Sequence, residues 1–179
     1  SETCEQNGRN FYPYAHKVFE VYRLCHPMNI RVILLGQDPY HSAKNGIPVA
    51  NGLSFSTDRG MGVQPSLNVI YKELARYYQE TNRYFPVPNH GDLRRWVAEE
   101  GIFLINSSLT VISGMPNSHG GLWKFLIIET LKYIISVNSN VLFLVLGKSA
   151  GDILKEIKQQ INSVVAPHPS PVNTRFPFV

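Results

Sequence analysis

A chain of 179 residues, 44% apolar and 17% charged, is long enough to bury a substantial core and too apolar for disorder. Its longest apolar run, Val141 to Leu146, is too short to cross a bilayer, and the polar start from Ser1 to Gly8 has no secretory h-region; the two cysteines, Cys4 and Cys25, make neither a disulfide framework nor a metal cluster. The expectation is an intracellular protein of nucleus or cytoplasm, neither secreted nor membrane-bound, whose net charge of +4 is compatible with a polyanionic partner but does not by itself specify one.

The first predicted helix runs from Tyr12 to Leu24. A buried strand follows at Ile30 to Leu35, a short run rich in branched residues. Ser66 opens a second helix, with Leu67, Ile70, Tyr71, Leu74, Tyr77 and Tyr78 on one face. Asp92 caps a third over Leu93 to Glu100, and Gly101 ends it. Next come a strand at Ile102 to Ile105, a helix from Leu122 to Val137, a strand at Val141 to Leu146, a helix from Ala150 to Ile161, and a weaker strand at Ser163 to Ala166. No repeat, low-complexity tract or linker interrupts residues 1–179, which read as one domain. Strands alternating with helices specify an α/β fold: a three-layer sandwich with a central four-stranded, mostly parallel sheet flanked by helices.

Sheets of this kind bind ligands beyond the carboxyl ends of their strands. Four segments meet that description: Gly36-Gln-Asp-Pro-Tyr-His41, Asn106-Ser-Ser108, Gly147-Lys-Ser149 and Pro167-His-Pro-Ser-Pro171. Gly147-Lys-Ser149 is not a phosphate-binding P-loop, because Leu142 stands where that motif needs glycine. No G-x-G-x-x-G follows a strand, no G-x-S-x-G elbow exists, and no cysteine or histidine pair has zinc spacing. The Asn106-Ser-Ser108 sequon has no meaning on an intracellular chain.

The hexapeptide Gly36 to His41, directly after a buried strand, resembles the hallmark of the family 1 uracil-DNA glycosylases. Companion motifs occur in the family's order: Gly52-Leu-Ser-Phe-Ser56, Gln64-Pro-Ser-Leu67, Ile70-Tyr-Lys-Glu-Leu74, His90-Gly-Asp-Leu93 with Trp96, Gly101 to Asn106, Leu109-Thr-Val111, Asn117-Ser-His119 and His168-Pro-Ser-Pro171. The likeness extends from about residue 11 to 173. It departs from the family at Gln64 (usually proline), Lys148 (usually serine) and Val172 (usually leucine). The segment from Ser42 to Asn51 is about four residues longer than usual, and the resemblance implies a longer segment after Pro171 than is present.

The resemblance implies hydrolysis of the bond between uracil and deoxyribose in DNA. Such cleavage leaves positive charge on the sugar and negative charge on the base. Asp38 would stabilise the first and orient a water. His168, as a neutral imidazole, would donate to uracil O2. Asn106 would read O4 and N3–H with one amide. Gln37 would act through its backbone near O2, Tyr40 would exclude the thymine methyl, Phe55 would stack on the base, and His41 would support phosphate or water. Ser66, Gly147, Lys148, Pro169 and Ser170 would hold the DNA backbone, with Val172 as the wedge that fills the vacated stack.

No metal and no organic cofactor is implied. The implied partners are uracil-containing DNA, single- or double-stranded, and a DNA-mimicking protein inhibitor; the chain is expected to be a monomer. Two other readings are a catalytically weak or inactive DNA-binding replication accessory on the same scaffold, which would have no need of Asp38, His168, Asn106 and Tyr40 together, and an α/β nucleotide-binding protein, which lacks its glycine motifs. The remaining histidines, His16, His26, His90 and His119, are expected to bond to backbone, and Phe103, Phe125 and Phe143 to lie in the core.

Overall fold

Branched apolar runs favour extended backbone, and their burial on both faces calls for a parallel sheet covered by helices. A computed structural model describes residues 4–6 and 9–171. Its first elements are β1 (Cys4–Gln6), β2 (Arg9–Tyr12), α1 (Glu20–Leu24), β3 (Val32–Gly36), β4 (Ala43–Lys44), β5 (Ile47–Pro48) and α2 (Pro65–Glu80). They are followed by α3 (Arg94–Ala98), β6 (Ile102–Asn106), β7 (Val111–Ile112), α4 (Lys124–Val137), β8 (Leu142–Leu146), α5 (Lys148–Leu154) and β9 (Asn162–Ala166).

The four predicted strands form one sheet in the order β6-β3-β8-β9, every neighbouring pair parallel. Consecutive residues of β3 and β6 are buried, so helices and loops cover both faces. Ile33, Leu35, Phe103, Leu104, Phe143 and Val145 lie at the centre of the core. The register pairs Gly36 with Asn106, Leu35 with Val145, and Leu146 with Ala166. All four strands thus end at one level, where their following loops meet. No helix among the described residues is long and apolar enough to cross a membrane.

Several expectations need correction. The helix predicted over Tyr12 to Leu24 shrinks to α1, because Pro13 lacks an N–H and drives Tyr12 into extended backbone. Tyr12 belongs to β2, which joins β1 and β7 in a small antiparallel sheet. The helix predicted to Ile161 ends at Leu154; a turn then brings Ile157 into the core and the chain back to β9. Phe125 is 78% exposed, whereas Phe103 and Phe143 are buried as expected. Ile127, Leu131 and Ile134 define the inward face of α4, and at about 100° per residue Phe125 falls on its far side. Asp92 Oδ1 accepts from the Arg94 N–H at 3.1 Å, but α3 starts one residue later than expected, with Leu93 at the cap position, and stops at Ala98, short of Gly101.

The segment Ser42 to Asn51 carries a hairpin, β4 antiparallel to β5, turning through Asn45-Gly46. A half-buried ionic cluster fixes the region before α2. Arg94 reaches Glu20 at 3.3 Å and Asp58 at 2.7 Å, and Lys17 reaches Asp58 at 2.6 Å. The burial of Asp58 opposes its charge, but hydrogen bonds from Lys17 and Arg94 outweigh it and hold the carboxyl below its ordinary range.

Candidate active site

The loops after the strand ends enclose a cavity of about 440 Å3. Gln37, Asp38, Pro39, Tyr40 and His41 enter from β3, and Asn106 from β6. His168 and Ser170 enter from the loop after β9, Phe55 from the segment following the hairpin, Ser66 from the start of α2, and Pro116 from the loop after β7. Gly147 and Lys148 line a larger, mostly apolar groove of about 890 Å3 that shares His168 with this cavity. Pro169 lies between His168 and Ser170. Val172 lies outside the described residues. The smaller cavity is the candidate site, because it collects Asp38, Asn106, Phe55 and His168.

The β3 loop is clamped by the residues that continue β6. Ser107 N–H donates to Gly36 O at 2.9 Å, and Ser108 N–H and Ser107 Oγ donate to Gln37 O at 3.0 and 2.9 Å. Gly114 N–H donates to His41 O at 2.8 Å. Asp38 Oδ2 accepts from the Asn117 N–H at 2.5 Å and lies 3.4 Å from the Gln37 amide nitrogen. Its Oδ1 is buried with no protein partner. A buried carboxylate oxygen left open toward a cavity is costly unless something polar occupies it in use.

Asn117 is in left-handed backbone at φ 61°, which aims its N–H at Asp38. Its loop is anchored by Ile112 N–H to Ser118 Oγ at 2.8 Å and by Ser108 Oγ to His119 O at 3.2 Å. The ring of His119 also contacts the Thr110 hydroxyl at 2.8 Å, and Trp123 Nε1–H donates to that same hydroxyl at 2.7 Å. The ring of His119 is thus tied to β7's neighbour Thr110 through a side chain. His26 and His90 do accept from backbone, at Met28 and Asp92. His16 stacks on Tyr14. Sequence reasoning assigned no role to Asn117 or Pro116; the Asn117-Ser-His119 motif was the available signal.

Ser170 N–H donates to His168 Nδ1 at 3.1 Å, so the neutral ring carries its proton on Nε2. Burial pushes the His168 pKa down, and the charge of Asp38 partly opposes this. His168 packs 5.7 Å from the Phe55 ring, centroid to centroid. It also abuts Gly147, where a Cβ would lie 3.2 Å from that of His168 on backbone at φ 97°. Phe55 itself is held at φ 60°, rare for a bulky residue. Tyr40 donates its hydroxyl to Phe55 O at 3.1 Å, and burial pushes that phenol far above its ordinary pKa.

The family model of the uracil DNA glycosylase superfamily matches residues 23–177. The chain belongs to the uracil-DNA glycosylase superfamily. Among relatives, the uracil-DNA glycosylase of Shewanella oneidensis is 38% identical over 172 residues, 94% of this chain and 74% of that protein. That of Geobacillus kaustophilus is 37% identical over 176 residues, 97% of this chain and 72% of that protein. The solved mimivirus uracil-DNA glycosylase superposes with a TM-score of 0.81 at 28% identity, covering 92% of this chain. A substituted form of the mimivirus protein, solved in complex with UGI, gives 0.82. The chain spans 58% of the mimivirus uracil-DNA glycosylase chain.

Proposed function

We propose that the protein is a monofunctional uracil-DNA glycosylase, which hydrolyses the N-glycosidic bond of a flipped-out uracil and leaves an abasic site for base excision repair. One observation carries the reading: a single cavity joins a carboxylate oxygen without a protein partner to an imidazole whose Nε2–H is directed by a bond at Nδ1. The C1′–N1 bond breaks with its electron pair passing to the base. Asp38 stabilises the cationic sugar, orients water through Oδ1 and takes up its proton as oxygen bonds to C1′. His168 donates Nε2–H to uracil O2 as negative charge gathers there. Removing one donor of this kind typically lowers the rate by about 10²–10³.

Asn106 reads O4 and N3–H, Phe55 stacks on the ring, Gln37 contributes backbone near O2, and Tyr40 fills the space that a thymine methyl needs. His41 supports phosphate or water. Ser66, Gly147, Lys148, Pro169 and Ser170 grip the backbone, and Val172 is the wedge. Residues 1–179 act as one monomeric domain on single- or double-stranded DNA in the nucleus or cytoplasm. A protein that mimics DNA charge is a fitting inhibitor of the same face.

The test is release of free uracil from a single-stranded oligonucleotide carrying one uracil, with chelator present. The expected outcome is base release by the native protein. Asp38→Asn should retain DNA binding and lose at least about 10²-fold in rate. Tight binding without release by the native protein would support the accessory reading instead.

A further inference from the structure

Ser54 is fully buried, and its hydroxyl has no hydrogen-bond partner in the protein. It precedes Phe55, and its N–H donates to Leu104 O at 3.1 Å, which fixes the residue against β6. A Cβ placed on Gly36 would meet Ser54 Oγ at 2.4 Å and Asn106 Oδ1 at 2.5 Å. The two oxygens therefore crowd the same point beside Gly36, which only a residue without a Cβ leaves free. Gly36 and Asn106 are paired in the register of β3 and β6, so Ser54 Oγ lies at the base of the amide assigned to reading the pyrimidine.

We propose that Ser54 is a specificity-determining positioning residue: its hydroxyl donates to Asn106 Oδ1 when the base is bound and so fixes which way the amide faces. The proposal rests on the uracil reading of the cavity and deepens it. Uracil offers an acceptor at O4 and a donor at N3; cytosine offers a donor at N4 and an acceptor at N3. One amide orientation suits uracil, and a 180° flip suits cytosine. With Oδ1 on the Ser54 side, where it stands here, the buried O–H has an acceptor close by that a small closing movement can engage. With the amide flipped, the hydroxyl oxygen can accept, but its own proton is left buried without a partner. An orphaned donor of that kind disfavours the flipped state by about tenfold or more.

Ser54→Ala removes this bias without adding volume. The flipped fraction then rises from about a tenth or less to about half. Uracil recognition should weaken by no more than about twofold, while cytosine recognition strengthens by about fivefold or more. The readout is inhibition of uracil release by free uracil and by free cytosine, measured on native protein and on Ser54→Ala. A lower inhibition constant for cytosine alone supports the role. Constants that both stay within about twofold of native, or that shift together, overturn it, since general loosening would not separate the two bases. A native protein that releases no uracil defeats the glycosylase reading and this proposal with it. A working native enzyme beside an unchanged base ratio in Ser54→Ala defeats only the role of Ser54.

Discussion

Gly36→Ala tests whether the site depends on close backbone approach at the end of β3. The new methyl would stand 2.4 Å from Ser54 Oγ, 2.5 Å from Asn106 Oδ1 and 3.3 Å from Phe55 Cε2. Both oxygens must retreat by more than half an ångström to reach ordinary contact, roughly 3.2 Å. Both residues are anchored, Ser54 through Leu104 O and Asn106 through the β3–β6 ladder, so relaxation is limited. Overpacking of this kind costs about 1–3 kcal/mol, which lowers the melting temperature by about 2–12 °C for a chain of this size. Displacement of the reading amide by up to about 1 Å should reduce kcat/KM on uracil-containing DNA by about 10²-fold. Thermal melting and steady-state release of uracil measure the two effects. Ser54→Ala added to Gly36→Ala removes one collision and should recover part of the lost stability, a coupling visible in a double-mutant cycle. Near-native kcat/KM with unchanged melting in Gly36→Ala would refute the reasoning.

Three further outcomes are expected. Tyr40→Ala should release thymine measurably from thymine-containing single-stranded DNA, while its uracil activity falls with loss of the 3.1 Å tie to Phe55 O; absence of any thymine gain would remove the steric gate. His168, followed by NMR, should titrate below its ordinary 6.5 because burial lowers its pKa, and lower still in Asp38→Asn, where the opposing carboxylate charge is gone. Because unfolded His168 takes its proton first, its contribution to stability rises with pH between the lowered pKa and 6.5 and is lost as pH falls through that window; a midpoint above 6.5 contradicts both statements. Lys148→Ala should weaken DNA binding and reduce the slope of log affinity against log salt by about one; an unchanged slope removes Lys148 from the phosphate contacts.

β3, β6 and β8 were legible because each is a short apolar run with most of its residues removed from water, and β9, although exposed, keeps the branched run Ser163-Val-Val-Ala166. Their shared ends located Asp38, Tyr40, Asn106 and His168 in one cavity without any long-range information. The Tyr12–Leu24 helix failed because apolar spacing was read across Pro13. The hairpin at Asn45-Gly46 passed unremarked although its turn residues announce it. The Asn117 contact to Asp38 was missed for a different reason, although its motif was noted. It uses a backbone N–H, which every residue but proline owns, and what matters is the left-handed backbone that aims it. Ser54 was hidden likewise: a serine in a loop has no sequence mark that its hydroxyl will be buried beside Asn106.

The segment from Asn51 to Thr57 explains how these features coexist. Asn51, Ser54, Ser56 and Thr57 are all fully buried, an unusual concentration of polar side chains away from water. Most are satisfied within the segment or by the chain before α3. Asn51 donates to Ser56 Oγ at 3.0 Å, Ser56 donates to Gly91 O at 3.2 Å and accepts from Leu93 N–H at 3.0 Å, and Thr57 donates to Gly62 O at 3.1 Å. This network over-determines the backbone on both sides of Phe55, and so sustains a φ of 60° that would otherwise relax at a gain of about 1–3 kcal/mol. The ring is thereby held against His168 at the cavity wall. In a segment where every other buried hydroxyl has a protein partner, the one that lacks it stands next to Asn106. Packing alone gives no reason for a hydroxyl there, since alanine would fill the space without an orphaned donor. A requirement placed on the neighbouring amide does give one.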